Sequence, residues 1–330
     1  MLDNELLEHN YSDRLFIGNL FNLFNAPNRQ STREWAEQNR FLTPDVTSRP
    51  GKMDCMETPW MLFPMECFDD PLIPVIVGKK SAQIAWTETV NNYIGRTIDL
   101  DPRNMMIAFP RAASVMKFYK EKLTPFILHT PCIANKITGT MSRLSHKHVP
   151  FKGGFLLLAN AGAADDAKSS VIPIVIVEEP DGIKKDVNKQ GDGMALLRQR
   201  MKSFSDGKLI YAGTPTDKEF SQVDIAYNNS NRGNYHVCCP SCSNLHVLSF
   251  NNLKYDVFQD RKIDEAYGIY NPETAYYECP YCLDMWDDSA KQEAVLEGLN
   301  FFQMGWKFDA PDVTDVYGFA FNEQIGRAHV

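Results

Sequence analysis

Nowhere do the 330 residues contain a run approaching the roughly 18 to 20 consecutive apolar residues that a helix needs to cross a bilayer, which argues against a membrane-spanning protein. The opening Met1-Leu2-Asp3-Asn4-Glu5 lacks the positive charge of a secretory leader, so a cytoplasmic location is expected. A basic surplus is missing too. With 34 Lys and Arg against 42 Asp and Glu, the formal net charge of −8 excludes a generally cationic nucleic-acid coat but leaves room for a local groove. Nor are the cysteines scattered in the manner of a disulfide scaffold. Of eight, five fall in two tight clusters, and Cys55, Cys67 and Cys132 stand alone and read as buried apolar residues. An intact phosphate-loop signature, G-x-x-x-x-G-K-[ST], is also absent.

What is present is an ordinary globular composition, 44% hydrophobic and 23% charged, long enough for two or three domains. Residues 1 to about 30 alternate Leu and Phe with Asn and Asp, and Leu15, Phe16, Leu20, Phe21, Leu23 and Phe24 fit one side of a helix, which packs on its own domain or on a partner. Ser31-Thr32-Arg33-Glu34 has the spacing of a capping box and predicts a helix start. Prolines 44, 50, 59 and 64 then mark an extended approach to the first strand.

Five apolar segments come next, 73–78, 104–110, 154–160, 171–178 and 208–213, alternating with amphipathic stretches near 86–100, 111–129 and 194–205. That rhythm predicts an α/β fold, a mostly parallel sheet with helices on both faces. In such sheets ligands gather beyond the carboxyl ends of the strands. After the first run comes Gly78-Lys79-Lys80-Ser81-Ala82-Gln83-Ile84-Ala85-Trp86-Thr87, an outline of a phosphate cradle at a helix start. Counted back from Thr87, Lys80 takes the first glycine's place, Ala85 the second's and Trp86 the lysine's. A buried strand leading into a surface helix fits the same residues. The fourth run ends in Glu178 and Glu179, suited respectively to hold Mg²⁺ and to activate water, with a solvated acidic turn as the other reading. The fifth ends in Gly213-Thr214-Pro215-Thr216, where hydroxyls at a strand end could sense a γ-phosphate and a plain turn is equally compatible.

Cys239-Pro240-Ser241-Cys242 and Cys279-Pro280-Tyr281-Cys282 are two C-P-x-C knuckles. Each presents two thiolates to one ion, and together they predict a closed, structural Cys₄ zinc site in a small ribbon-like module. Cys238 reads as a bystander, while His236 and His246 could each replace a thiolate.

The order of these parts resembles the lambda-type (GpA) large terminase subunit of tailed phages, from about Trp35 to the C-terminus. The resemblance is carried by Trp35-Ala36-Glu37, Thr58-Pro59-Trp60, Lys80-Ser81-Ala82-Gln83, Glu178-Glu179, Gly213-Thr214-Pro215-Thr216 and both knuckles. It implies a P-loop-type ATPase, with ATP and Mg²⁺ beside structural Zn²⁺, whose loop lysine stands at Lys80 and whose aromatic stands at Trp86. Lys79 is a nearby substitute cation, Trp60 the candidate to stack on adenine, and Arg111 a guess for an arginine finger, read more readily as a surface residue. Two positions depart from the pattern, Ala85 for glycine and Glu178 for aspartate. Partners implied are duplex DNA, the small terminase subunit docking on residues 1–50, the portal protein and a homo-oligomeric ring in the host cytoplasm. The expected division is 51–230 ATPase, 231–295 zinc module, 296–324 the threshold of a DNA-cutting nuclease around Gly305-Trp306-Lys307 and Tyr317-Gly318-Phe319, and 325–330 a non-native tail. The competing class is a zinc-ribbon assembly protein with a decayed nucleotide site, and a helicase-like ATPase ranks third.

Overall fold

Strands that are apolar on both sides and helices that are apolar on one side build a layered α/β structure. The computed structural model describes residues 30–330 except 45–46, 48, 140–146, 163–171, 185–191, 217–219, 258–269, 323 and 326–330. The Leu/Phe-rich opening segment and nearly all of the expected tail therefore lie outside the described residues. Ile325, the expected start of that tail, is 4% exposed and packs into the main core.

Nine strands form one sheet: β1 (Val75–Lys80), β2 (Met105–Phe109), β3 (His148–Phe151), β4 (Gly154–Asn160), β5 (Ile174–Glu178), β6 (Lys208–Gly213), β7 (Gly233–Tyr235), β8 (Trp306–Phe308) and β9 (Val316–Phe321). Their order across the sheet is β8-β7-β9-β1-β6-β5-β2-β4-β3. Every neighbouring pair from β7 to β4 is parallel, and antiparallel β8 and β3 close the two edges. Alternation along the strands sorts side chains into two cores. Ile76, Ile107, Ile176 and Ile210 face one side with α2 (Leu62–Asp69) and α3 (Trp86–Leu100). Val77, Met106, Val175 and Leu209 face the other, with Leu197 of the helix Gly193–Arg198 and Val223 of the helix Gln222–Asn228. The helix α1 (Thr32–Asn39) starts at the predicted capping box, with Ser31 and Glu34 bonded reciprocally. Among the described residues no helix is long and apolar enough to cross a membrane.

The sheet also redraws the expected boundaries. Gly233–Tyr235 lies beyond 230, and Trp306–Phe308 and Val316–Phe321 lie in the segment expected to open a second, nuclease sheet. All three are strands of the same sheet as β1, and β9 pairs directly with β1. They are short or partly exposed, and the cysteine module separates β7 from β8 in the sequence, so periodicity gives no sign of them. That module is an insertion. Tyr235 pairs with Trp306, so the chain leaves and re-enters the sheet at one edge. It does not hang free: the Asn322 amide donates to the Leu248 carbonyl at 2.8 Å, and the Tyr235 hydroxyl to the Val295 carbonyl at 2.8 Å on the returning helix (Asp288–Gly298).

Candidate nucleotide site and cysteine cluster

Parallel pairing puts the ends of β1, β6 and β5 at one edge of the sheet, with Lys79 level with Gly213 and Glu178 level with Ala212. One strand alone separates the lysine strand from the acidic strand. The gap is about 10 Å, two strand spacings, within the joint reach of a lysine and a glutamate. Glu179 makes the crossing possible by turning left-handed, at φ 54° and ψ 58°, which swings its side chain back over β6. Lys80 Nζ donates to Glu179 Oε1 at 2.8 Å. Gly213 is needed beneath it, since a methyl group there would sit 3.1 Å from Glu179 Oε2. The Thr214 backbone N–H then donates to that same oxygen at 3.1 Å. A non-glycine residue held in this backbone region costs on the order of 1 kcal/mol or more and is typical of functional turns.

Glu178 ends β5 beneath this contact and is 7% exposed. Burial pushes its carboxyl up to about 7, with Lys80 pulling it down and Glu179 pushing it further up. Its Oε1 has no hydrogen-bond partner, and neither does the buried hydroxyl of Ser81 at the head of the loop. Orphaned buried polar atoms of this kind are what a bound phosphate and its cation would satisfy. Between them the loop coils through left-handed Gln83 (φ 58°) and Ala85 (φ 67°), and α3 begins with no side-chain cap on its first amides. Those free N–H groups and the helix dipole make an anion site. A cavity of about 710 Å³ opens against it, lined by Lys80, Gln83, Thr87 and Glu88 on one wall and by Pro50, Met53 and Trp60 on the other. Its size and its lysine and amide donors fit a nucleoside triphosphate.

The structure corrects several expectations. Lys79 points away from the loop, because successive strand residues face opposite sides. It ion-pairs with Asp224 and lies 5.3 Å over the Tyr227 ring. Trp86 is 2% exposed and packs edge-on against Phe68 and Phe321, so its ring belongs to the core, while its indole N–H lies toward the Glu178 carboxyl without completing a hydrogen bond. Gly78 admits that ring, since a methyl there would fall 2.9 Å from it. Trp60 borders the cavity but is 6% exposed, and its indole N–H holds the Ile84 carbonyl at 3.1 Å, bracing the loop. Thr214 enters through its backbone, and Ala82 is exposed at the loop's crest. Arg111 is an exposed residue just ahead of the helix Ala112–Phe118.

Sequence reasoning passes over two residues. Asp181 accepts from Val223 N–H and from both donors of Thr216, tying the acidic turn to the loop after β6. Burial raises its carboxyl, but hydrogen bonds from Ser221, Val223 and Thr216 outweigh that and hold it low. Lys122 lines the cavity from a helix that sequence periodicity places but does not orient.

The four knuckle sulfurs lie within 4.8 Å of one another. Cys239 and Cys282 are 3.7 Å apart and Cys242 and Cys279 3.9 Å, close to the roughly 3.8 Å edge of a zinc–thiolate tetrahedron. The knuckles are near copies. Ser243 and Leu283 are left-handed, and their N–H groups donate back to the carbonyls of Cys239 and Cys279 at 2.8 and 3.0 Å. The Asn244 amide donates to Cys242 Sγ at 3.3 Å and holds that thiol below the ordinary cysteine range. His246 stacks on Tyr277 and packs tilted against Trp286, while His236 Nδ1–H donates to the Asn234 carbonyl, and neither belongs to the cluster.

The chain is similar to known proteins. The family model described as "Phage terminase large subunit gpA, ATPase domain" matches residues 47–306. The terminase large subunit of Enterobacteria phage P21 is 26% identical over 226 residues, which is 67% of this chain and 35% of that protein, so the chain spans about a third of that relative. The large terminase of bacteriophage HK97 is similar over 62% of this chain and 41% of its own, at 10% identity and a TM-score of 0.48. A second solved large terminase, from a thermophilic bacteriophage, is similar over 57% of this chain and 42% of its own, at 13% identity and a TM-score of 0.37. Since the family model spans most of its length, the chain belongs to the phage terminase large subunit gpA family and carries that family's ATPase domain.

Proposed function

We propose that this chain hydrolyses ATP to drive duplex DNA into a phage capsid. The observation that carries the reading is the 2.8 Å bond from Lys80 to Glu179, which brings loop and acidic pair to one point beside a cavity of nucleotide size. Lys80, the Ser81 hydroxyl and the amides from Gln83 to Thr87 bind phosphates. Thr87 and Glu178 would hold Mg²⁺, which when bound neutralises phosphate charge. Glu179 orients the attacking water and takes its proton. Thr214, bonded to Glu179, is placed to relay the state of the site into the loop after β6. Zn²⁺ on Cys239, Cys242, Cys279 and Cys282 would be structural, because four thiolates leave no open position for substrate. Duplex DNA, the small terminase subunit, the portal protein, a homo-oligomeric ring and action in the host cytoplasm complete the proposal, on the family's account. No DNA-cutting chemistry is assigned to residues 31–325.

The competing reading, a zinc-ribbon scaffold with a decayed site, is favoured by one observation: Ala85 occupies a left-handed position that suits glycine. DNA-stimulated ATP hydrolysis in Mg²⁺, measured on a full-length version with its partners, separates the two. Turnover supports the motor, and none supports the scaffold.

A further inference from the structure

The helix after β2 does not run straight. It is α-helical over Ala112–Phe118, passes through a π-turn at Tyr119–Leu123 and resumes at Thr124–Leu128. The cause is Pro125, which has no N–H to give and whose ring crowds the preceding turn. Thr124 marks the widened turn, its N–H reaching back five residues to the Tyr119 carbonyl and its hydroxyl donating to that same oxygen at 2.7 Å. The extra residue rotates the rest of the helix, and such bulges recur at functional sites. Here it sets Lys122, half-buried, in the wall of the 710 Å³ cavity.

Among the described residues Lys122 has no ion-pair or hydrogen-bond partner. The other cations nearby differ. Arg49 pairs with Glu57 at 3.5 Å, Lys52 is exposed, and Lys80 is engaged by Glu179. Glu88, which shares a crevice with Lys122, is already neutralised by buried Arg40 at 2.8 Å. A half-buried ammonium that faces a cavity and has no partner among the described residues is placed to form a charge-assisted hydrogen bond with an anion there. Lys122 shares a narrow crevice with Arg40, Glu88 and Phe126 beside the first turn of α3, whereas Glu178 and Glu179 do not line the cavity at all. Lys80, the cavity residue bonded to Glu179, does not border that crevice, so Lys122 is set apart from the acidic pair.

We propose that Lys122 anchors the non-transferred phosphates of the nucleotide, the ones next to the sugar, and so sets affinity for ATP and ADP alike. This rests on the nucleotide reading above. The test is titration of the full chain with fluorescent ATP and ADP analogues in Mg²⁺, for wild type, Lys122→Ala and Lys122→Arg, with melting of each apo protein as the check on folding. Losing one charge-assisted hydrogen bond predicts about a tenfold rise in Kd for both nucleotides in the alanine variant. Arginine should restore most of it, and in turnover KM should rise by more than kcat falls. Unchanged affinity, or a loss confined to ATP, would overturn the assignment. Wild type that binds neither nucleotide would overturn the site itself.

Discussion

Lys80 Nζ and Glu179 Oε1 lie 2.8 Å apart, so the cation that phosphate would claim is held by the carboxylate that would activate water. An incoming phosphate competes with Glu179 for the same ammonium. The glutamate side chain is 47% exposed, so the pair is screened and worth under about 1 kcal/mol. Glu179→Gln should therefore tighten nucleotide binding by about two- to fivefold, while Lys80→Ala weakens it at least about tenfold. Isothermal titration with a non-hydrolysable analogue checks both, and a glutamine variant that binds more weakly than wild type would contradict the competition.

Ala85 sits at φ 67°, ψ 9°, where a β-carbon costs roughly 1–2 kcal/mol. Glycine removes that cost but adds freedom to the unfolded chain. Ala85→Gly is expected to stabilise the protein by on the order of 0.5–1 kcal/mol. Denaturant unfolding measures it, and a destabilised variant would show that the methyl group makes contacts worth more than the strain.

Much of this site is legible because fully buried parallel strands are unbroken apolar runs, so their polar ends stand out: Lys80 after Val75–Val77, Glu178-Glu179 after Ile174–Val177. Which of two adjacent lysines faces the loop is not legible, since that depends on register and a one-residue shift reverses it. Trp86 misleads for a related reason. Its place in the motif is at the loop, but the gap left by Gly78 draws its ring into the core. The strands β7, β8 and β9 escape notice because their partners are distant in sequence, and Lys122 because Pro125 signals a break in the helix without fixing which way the widened turn faces.

The cysteine cluster predicts a metal whose loss is structural. The Trp286 ring packs 5.1 Å from Tyr277 and 5.4 Å from His246, and the module shares the main core through Leu248 and Val295. Removing zinc with a chelator, or Cys279→Ser, should lower the melting temperature and collapse the near-ultraviolet signal of Trp286. One bound zinc per chain is expected by elemental analysis. A metal-free protein with unchanged melting would contradict the assignment.

Lys208 provides a pH test that does not involve the nucleotide. It is 4% exposed, and its ammonium donates to the carbonyls of Cys67 and Asp70 at 2.8 and 2.6 Å, capping the end of α2. Burial depresses its pKa from 10.5 to about 8. Between those values the unfolded chain holds a proton that the folded one has shed, so this residue's contribution to stability rises with pH from about 8 to 10.5, by on the order of 3 kcal/mol. Buried tyrosines and thiols act oppositely at high pH. The readout is therefore the stability difference between wild type and Lys208→Met, which should grow in favour of wild type as pH rises from about 8 to about 10. A difference independent of pH would refute the shift.

The central claim, that loop and acidic pair form a working hydrolytic site, is tested most directly by phosphate release from Mg²⁺-ATP by wild type, Ala85→Gly and Glu179→Gln side by side. Wild type should turn over, the glycine variant should equal or exceed it, and the glutamine variant should lose at least about a hundredfold. Equal rates in all three would contradict the account.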